Sequence, residues 1–172
     1  MRKKLLFVSI LCGAIVLCAD DKTVSHLTKE VRHELVMLPY YGVFDNLTYR
    51  VGADGTVTLQ GQVTRPTLKS DAEHVVKDVE GVTRVVNDIE VLPVSPNDDT
   101  IRMALYRAIY ASPQLNRYAM QAVPSIHIIV KNGNVTLEGV AANESDKNVA
   151  SIQAKGVSGV FSVTNNLRLE KQ

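Results

Sequence analysis

Tryptophan is missing altogether, cysteine occurs only at Cys12 and Cys18, and aromatic residues make up 5% of the chain. Each shortage removes a class of explanation. Both cysteines fall in the first 19 residues, so the chain beyond them can hold no disulfide, thiolate nucleophile or sulfur-based metal site. An excess of one charge is lacking too, with 19 basic residues against 18 acidic ones and no basic run longer than two residues past Lys4. That balance disfavours a nucleic-acid partner. No nucleophile elbow, phosphate loop, paired-carboxylate motif or HExxH pattern occurs among the residues. Of the four histidines, His26, His33, His74 and His127, only His33 forms a Glu-x-x-His pair, with Glu30. That is half of a di-iron arrangement, and the helix that would supply the other half is absent. Catalysis, a bound metal and a cofactor are therefore not expected.

Long apolar runs are also scarce, the exception being Leu5 to Ala19, which follows Arg2, Lys3 and Lys4 and precedes Asp20 and Asp21. The run falls short of the roughly 20 residues of a comfortable membrane span. It reads as a secretory signal over 1–19, cleaved after Ala19. Leu17 is a poor residue for the small position of such a site, so lipid attachment at Cys18 and an uncleaved anchor stay open as alternatives. Beyond residue 19 the charge is uneven: residues 20–95 hold 8 basic and 12 acidic residues, residues 96–172 hold 8 and 6. The second half is the one suited to an anionic partner.

What the sequence does contain is a repeat. "GTVTLQGQV" at 55–63 returns as "GNVTLEGVA" at 133–141, and "VEGVTRVVNDIEV" returns as "VSGVFSVTNNLRL" at the same spacing of 78 residues. A fixed-period match means duplicated structural units, each of about 70 residues and near the small end for a domain. Within each unit the elements follow from periodicity. Val24, Leu27, Val31, Leu35 and Leu38 share a helical face that Pro39 ends, and Ile101, Leu105, Ala108 and Ile109 share another that Pro113 ends. Alternating runs joined by Asp-Gly and Asn-Gly then predict two β-hairpins. A second helix follows, opened by Pro66 in one unit and capped by Asn143 in the other. In the first unit its buried stripe is Leu68, Ala72, Val75, Val76 and Val79, and Gly81 is placed to end it. A last strand, Val85 to Val91 or Val163 to Leu169, closes each unit. The order αββαβ predicts an α+β fold of two repeated domains, each with two helices on a three-stranded mixed sheet. Gly61 and Gly139, inside strands, point to a close approach of a helix. The expected boundaries are 24–93 and 100–170, joined by a short Pro-containing linker at 94–99.

"DGTVTLQGQV" with "GVTRVVNDIEV", and "NGNVTLEGVA" with "GVFSVTNNLRL", resemble the BON-domain family in its strand-glycine and Gly-Val-x-x-Val-x-Asn pattern, over nearly all of residues 24–170. The resemblance implies structural roles for Gly61, Gly81, Gly139 and Gly159 and no catalytic residue. It also implies export to the periplasm or the periplasmic face of the outer membrane. The role it implies is binding phospholipid and supporting envelope integrity or osmotic-stress tolerance, with the first helix of the second domain facing anionic lipid. Helical projection puts Arg102, Tyr106 and Tyr110 on a stripe away from the Ile101–Leu105–Ile109 face, with Arg107 further round. Arg117 and Tyr118 continue that composition. Arginine beside tyrosine suits a headgroup boundary, the cation meeting phosphate and the ring lying at the apolar edge. An ordinary solvated face is the alternative. A second class of function is a protein-interaction or chaperone-like module in the envelope, with Tyr40, Tyr41, Phe44, Val149 and Ile152 as candidate contact residues. For Tyr40 to Phe44, packing beneath the first helix competes with that role. The partner is thus an anionic phospholipid or membrane surface, or an envelope protein.

Overall fold

The computed structural model describes residues 21–170 of the chain, so the expected signal at 1–19 and both cysteines lie outside the described residues. The first unit runs α1 (Asp21–Val36), β1 (Asn46–Val51), β2 (Thr56–Val63), α2 (Pro66–Lys77) and β3 (Arg84–Val91). The second runs α3 (Pro96–Tyr110), β4 (Ile126–Lys131), β5 (Asn134–Ala141), α4 (Glu144–Lys155), β6 (Ser162–Asn165) and β7 (Arg168–Leu169). In both sheets the middle strand pairs antiparallel with its hairpin partner and parallel with the strand that returns through a helix. The α+β tandem repeat is as the periodicity predicts.

The two cores form where the predicted stripes meet. Leu27, Val31 and Leu35 of α1 close on Val57, Leu59, Leu68, Ala72, Val76 and Ile89, all buried. Ile101, Leu105 and Ile109 of α3 close on the corresponding set around Val135, Leu137, Ala150 and Ala154. The hairpin turns obey their glycines: Asn132 and Gly133 take φ of 52° and 74°, both left-handed, as a two-residue turn matched to strand twist requires,.

Four details depart from the sequence reading. Helix α3 begins at Pro96, with Ser95 accepting the Asp98 amide at 3.2 Å, so most of the expected 94–99 linker is helix. Proline at the first helical position and serine before it are start signals, and the connector between β3 and α3 is residues 92–95,. The last strand of the second unit is interrupted at Asn166 and Leu167, leaving β6 and β7 where one run to Leu169 is expected. Helix α2 ends at Lys77, four residues before Gly81, whose φ of 92° serves the turn into β3 instead. At Gly61 and Gly139 the close neighbour is no helix. A Cβ there would collide with the carbonyl oxygen of Asn46 or Ser125 on the paired strand, and φ is 114° and 106°. These are backbone constraints that only glycine meets without strain.

The units touch through the segment after α1. The Ile128 amide of β4 donates to the Val43 carbonyl at 2.8 Å, so residues of the first unit occupy a hydrogen-bonding position on the edge strand of the second. Tyr41 stacks on His127 at 5.6 Å between ring centroids, and Phe44 meets Tyr106 edge-on at 6.3 Å. Lys131 and Glu90 form an exposed ion pair across the same boundary. Strand β4 is consequently buried on both faces from Ile126 to Val130, whereas β1 alternates.

Candidate functional site

Two places merit a functional reading: the surface of α3, and the cleft where the units face each other. On α3 the expected Arg/Tyr stripe does not lie on one open face. Arg102 is 4% exposed, its Nη1 donating to Asp99 Oδ1 at 2.5 Å and its Nη2 to the Val130 carbonyl at 2.7 Å. Tyr110 is buried and donates to the Ile126 carbonyl, and burial pushes its phenol pKa up. Tyr106 is half-buried between Phe44 and Tyr110. The stripe is the flank of the helix, not its back, and that flank is covered by β4 and by the 40–44 segment of the first unit. A charged side chain in such a place survives because its donors find carbonyl and carboxylate acceptors. One of them, Nε, has no partner among the described residues. The solvent face that remains is Thr100, Met103 and Arg107, with Met103 46% exposed although apolar.

Tyr118 and Arg117 belong to a different cluster. Tyr118 is buried, receives the Ala142 amide at 2.9 Å and donates to Asp146, which also accepts from Arg117 and from Gln114 at 2.7 Å. Asp146 stands in the first turn of α4, where the helix dipole favours a carboxylate,. Burial opposes its ionisation, but hydrogen bonds from Tyr118, Gln114 and Arg117 together hold its pKa below the usual carboxylate range. Arg117 keeps about half its side chain exposed at 52%. This cluster fastens the 3-10 turn at Asn116–Met120 to α4, so Arg117 and Tyr118 do not extend an α3 surface.

The candidate contact residues also separate. Tyr41 packs against the first unit's core and also stacks on His127, Phe44 packs against the second unit's core, and Tyr40, at φ of 67°, stands 72% exposed under the guanidinium of Arg65 at 4.8 Å. Val149 packs into the second core and Ile152 is left 66% exposed. The four family glycines all have positive φ, from 87° to 114°.

The cleft itself was not legible in the sequence, because the residues of its two walls, Thr28 to Tyr49 and Gln121 to Arg168, are 72 to 140 positions apart. It has a volume of about 620 Å³ and lies between α1 and β1 on one side and residues 121–127, 138–140 and Arg168 on the other. His127 is 8% exposed there, its Nδ1 3.3 Å from the Gly42 carbonyl, and burial lowers its pKa, so the ring is neutral near pH 7. Among the described residues no group of three or more potential metal ligands occurs, and no helix is long and apolar enough to cross a membrane.

The repeat, its glycines and its mixed sheets define a tandem αββαβ protein. The chain belongs to the BON-domain family: the family model matches twice, over residues 23–93 and 97–171. BON domains in general bind membrane phospholipids, their proteins are generally periplasmic or membrane-associated, and the family is generally non-catalytic. Among curated proteins, the chain is 30% identical over 133 residues to an uncharacterized protein of the gshII 5' region in Anaplasma centrale, covering 76% of this chain and 85% of that one. Among solved structures it is similar to CdsD, described as a structural protein of the type III secretion system of Chlamydia trachomatis. That match has 14% identity, covers 84% of this chain and 92% of the other, and has a TM-score of 0.34. The C-terminal domain of CdsD matches with 12% identity and a TM-score of 0.30.

Proposed function

We propose that this protein is a non-enzymatic component of the cell envelope that binds anionic phospholipid at a membrane surface and thereby supports envelope integrity or osmotic-stress tolerance. Membership of the family carries the ligand class. The observation that carries the surface is the exposed pair Met103 and Arg107, one turn apart on α3 of the more basic unit. A thioether beside a guanidinium presents an apolar contact for the acyl boundary and a cation for the phosphate. Arg102 and Tyr110 tie α3 to β4, and so hold the helix that presents that surface. Vesicle co-flotation tests the reading: anionic liposomes should carry the protein, zwitterionic ones should not, and salt should weaken the association. Arg107→Ala should reduce flotation with no change in unfolding. Flotation of that variant equal to the parent's would remove α3 from the binding surface.

A protein-interaction role is the second reading, favoured by Phe161 at 86% and Ile152 at 66% exposure, both on the second unit and both apolar. Failure to float with any vesicle composition would move the assignment there.

A further inference from the structure

The cleft between the units has a charge pattern that its packing does not explain. Three of the charged side chains lining it are Arg32 of α1, Arg168 of β7 and Glu138 of β5. Glu138 accepts from Asn166 Nδ2 at 2.7 Å. The aromatic and hydroxyl groups also have internal partners: Tyr49 donates to the Thr28 carbonyl at 2.9 Å and Ser125 to the Val140 carbonyl at 3.0 Å. Arg32 and Arg168 have neither an ion pair nor a side-chain hydrogen bond among the described residues, although each unit supplies acidic side chains to pair with. Arg32 is close enough to Tyr49 for its charge to be felt at the phenol. The rest of the wall includes apolar groups, Leu47, Val123 and Val140 among them. Cations with no partner among the described residues, on opposing walls and with apolar surface beside them, match a ligand with an anionic head and an apolar tail. The volume, about 620 Å³, lies within the roughly 300–1,000 Å³ of small-molecule sites, which favour domain interfaces.

We infer that this cleft is a binding site for a single amphiphilic anion, a phosphate joined to an apolar chain, held between Arg32 of the first unit and Arg168 of the second. It is distinct from the α3 surface, and rests on the phospholipid reading only for the choice of headgroup. A molecule seated there joins the two units, so its binding also stiffens their contact. Glu138 stays turned to Asn166, and neutral His127 adds no charge, leaving the two guanidinium groups to meet the phosphate.

The test uses monomeric dihexanoyl phosphatidylglycerol, kept below its micelle-forming concentration, with the tandem protein in calorimetry and in amide chemical-shift mapping. Saturable one-to-one binding is expected, with shifts at Leu47 and Val140 and none on the Met103–Arg107 face. Arg32→Ala and Arg168→Ala should each weaken it about tenfold or more, as loss of one charge-assisted contact does. Arg107→Ala should leave it unchanged while reducing flotation. Inorganic phosphate should bind far more weakly, since it has no tail for the apolar wall. Absence of saturable binding, binding indifferent to both cleft arginines, shifts confined to α3, or phosphate binding as tightly as the lipid would each overturn the cleft. Vesicle flotation surviving any of those results would leave the surface reading intact. Both arginines are exposed and have no partner among the described residues, so both variants should keep the parent's melting temperature.

Discussion

Asn87 and Asn165 sit at the same place in the two units and make the same bonds. Each donates to a carbonyl in the preceding helix, that of Lys69 at 2.9 Å or Lys147 at 2.8 Å, and each accepts the amide two residues on, that of Ile89 or Leu167, at 3.2 Å. The asparagine in the sequence pattern is therefore a tie between helix and third strand. Asn165→Ala should lower stability by about 1–2 kcal/mol in urea unfolding, the usual loss for a half-buried hydrogen-bonding group. Gly139→Ala should cost more, about 2 kcal/mol or above, because the new methyl meets the Ser125 carbonyl while φ is 106°,. The glycines and asparagines were legible because a residue repeated at a fixed spacing marks itself. Asp98, which receives the Asn132 and Gly133 amides at 2.8 and 2.9 Å, and Asp45, which receives the Thr64 amide at 2.7 Å, were not. Each belongs to one unit alone, and a buried carboxylate reads in sequence like an exposed one.

Helix α3 shows how far periodicity reaches. The apolar face came from spacing alone, but which of the other residues meet water depends on what covers the flank, and spacing does not contain that. The hairpins align at 78 residues, yet Gly81 approaches Leu27 while Gly159 approaches Ile101, a spacing of 74 for the first helix. One extra turn's worth of chain therefore lies between α3 and β4, where the 3-10 turn and the Asp146 cluster form. Two arginines five residues apart on the helix then separate experimentally. Arg102→Ala should destabilise the second unit by about 2–4 kcal/mol, since it strips the Val130 carbonyl of a charged donor and opens a buried space. Arg107→Ala should leave the melting temperature unchanged and act on flotation alone. Equal melting of both variants would show that Arg102 is not built in as its contacts indicate.

For the molecule as a whole, the contact between units carries a pH dependence whose sign is fixed by His127. Its ordinary pKa is 6.5, and burial against Tyr41 lowers it, while the Gly42 and Asp45 backbone and the charges of Asp45 and Glu138 act the other way. Between the lowered value and 6.5 the unfolded chain binds more protons than the folded one. Stability is thus complete above about pH 6.5 and declines as pH falls below it. The urea midpoint should drop between pH 7.5 and 5.0 in the parent and drop less in His127→Gln. Asp146, held below the carboxylate range, stays ionised across that window and adds no slope there. An unchanged slope in the variant would exclude His127 as the source. Of this contact the sequence marks only Tyr40, Tyr41 and Phe44 as candidate contact residues, and their meeting with His127 is not legible there. Two weakly marked patches reveal their partnership only once the backbone brings them together.

The single backbone bond from Ile128 to Val43 has a consequence in time as well as in space. A strand edge left open is a template for pairing with other chains. Here the segment that shields the edge is encoded upstream of the edge it shields, so in N-to-C synthesis or threading across a membrane the shield emerges first. The first unit can then receive β4 as it appears, before a neighbouring molecule does. Reversing the order of the two units in the gene would keep every domain and lose that precedence.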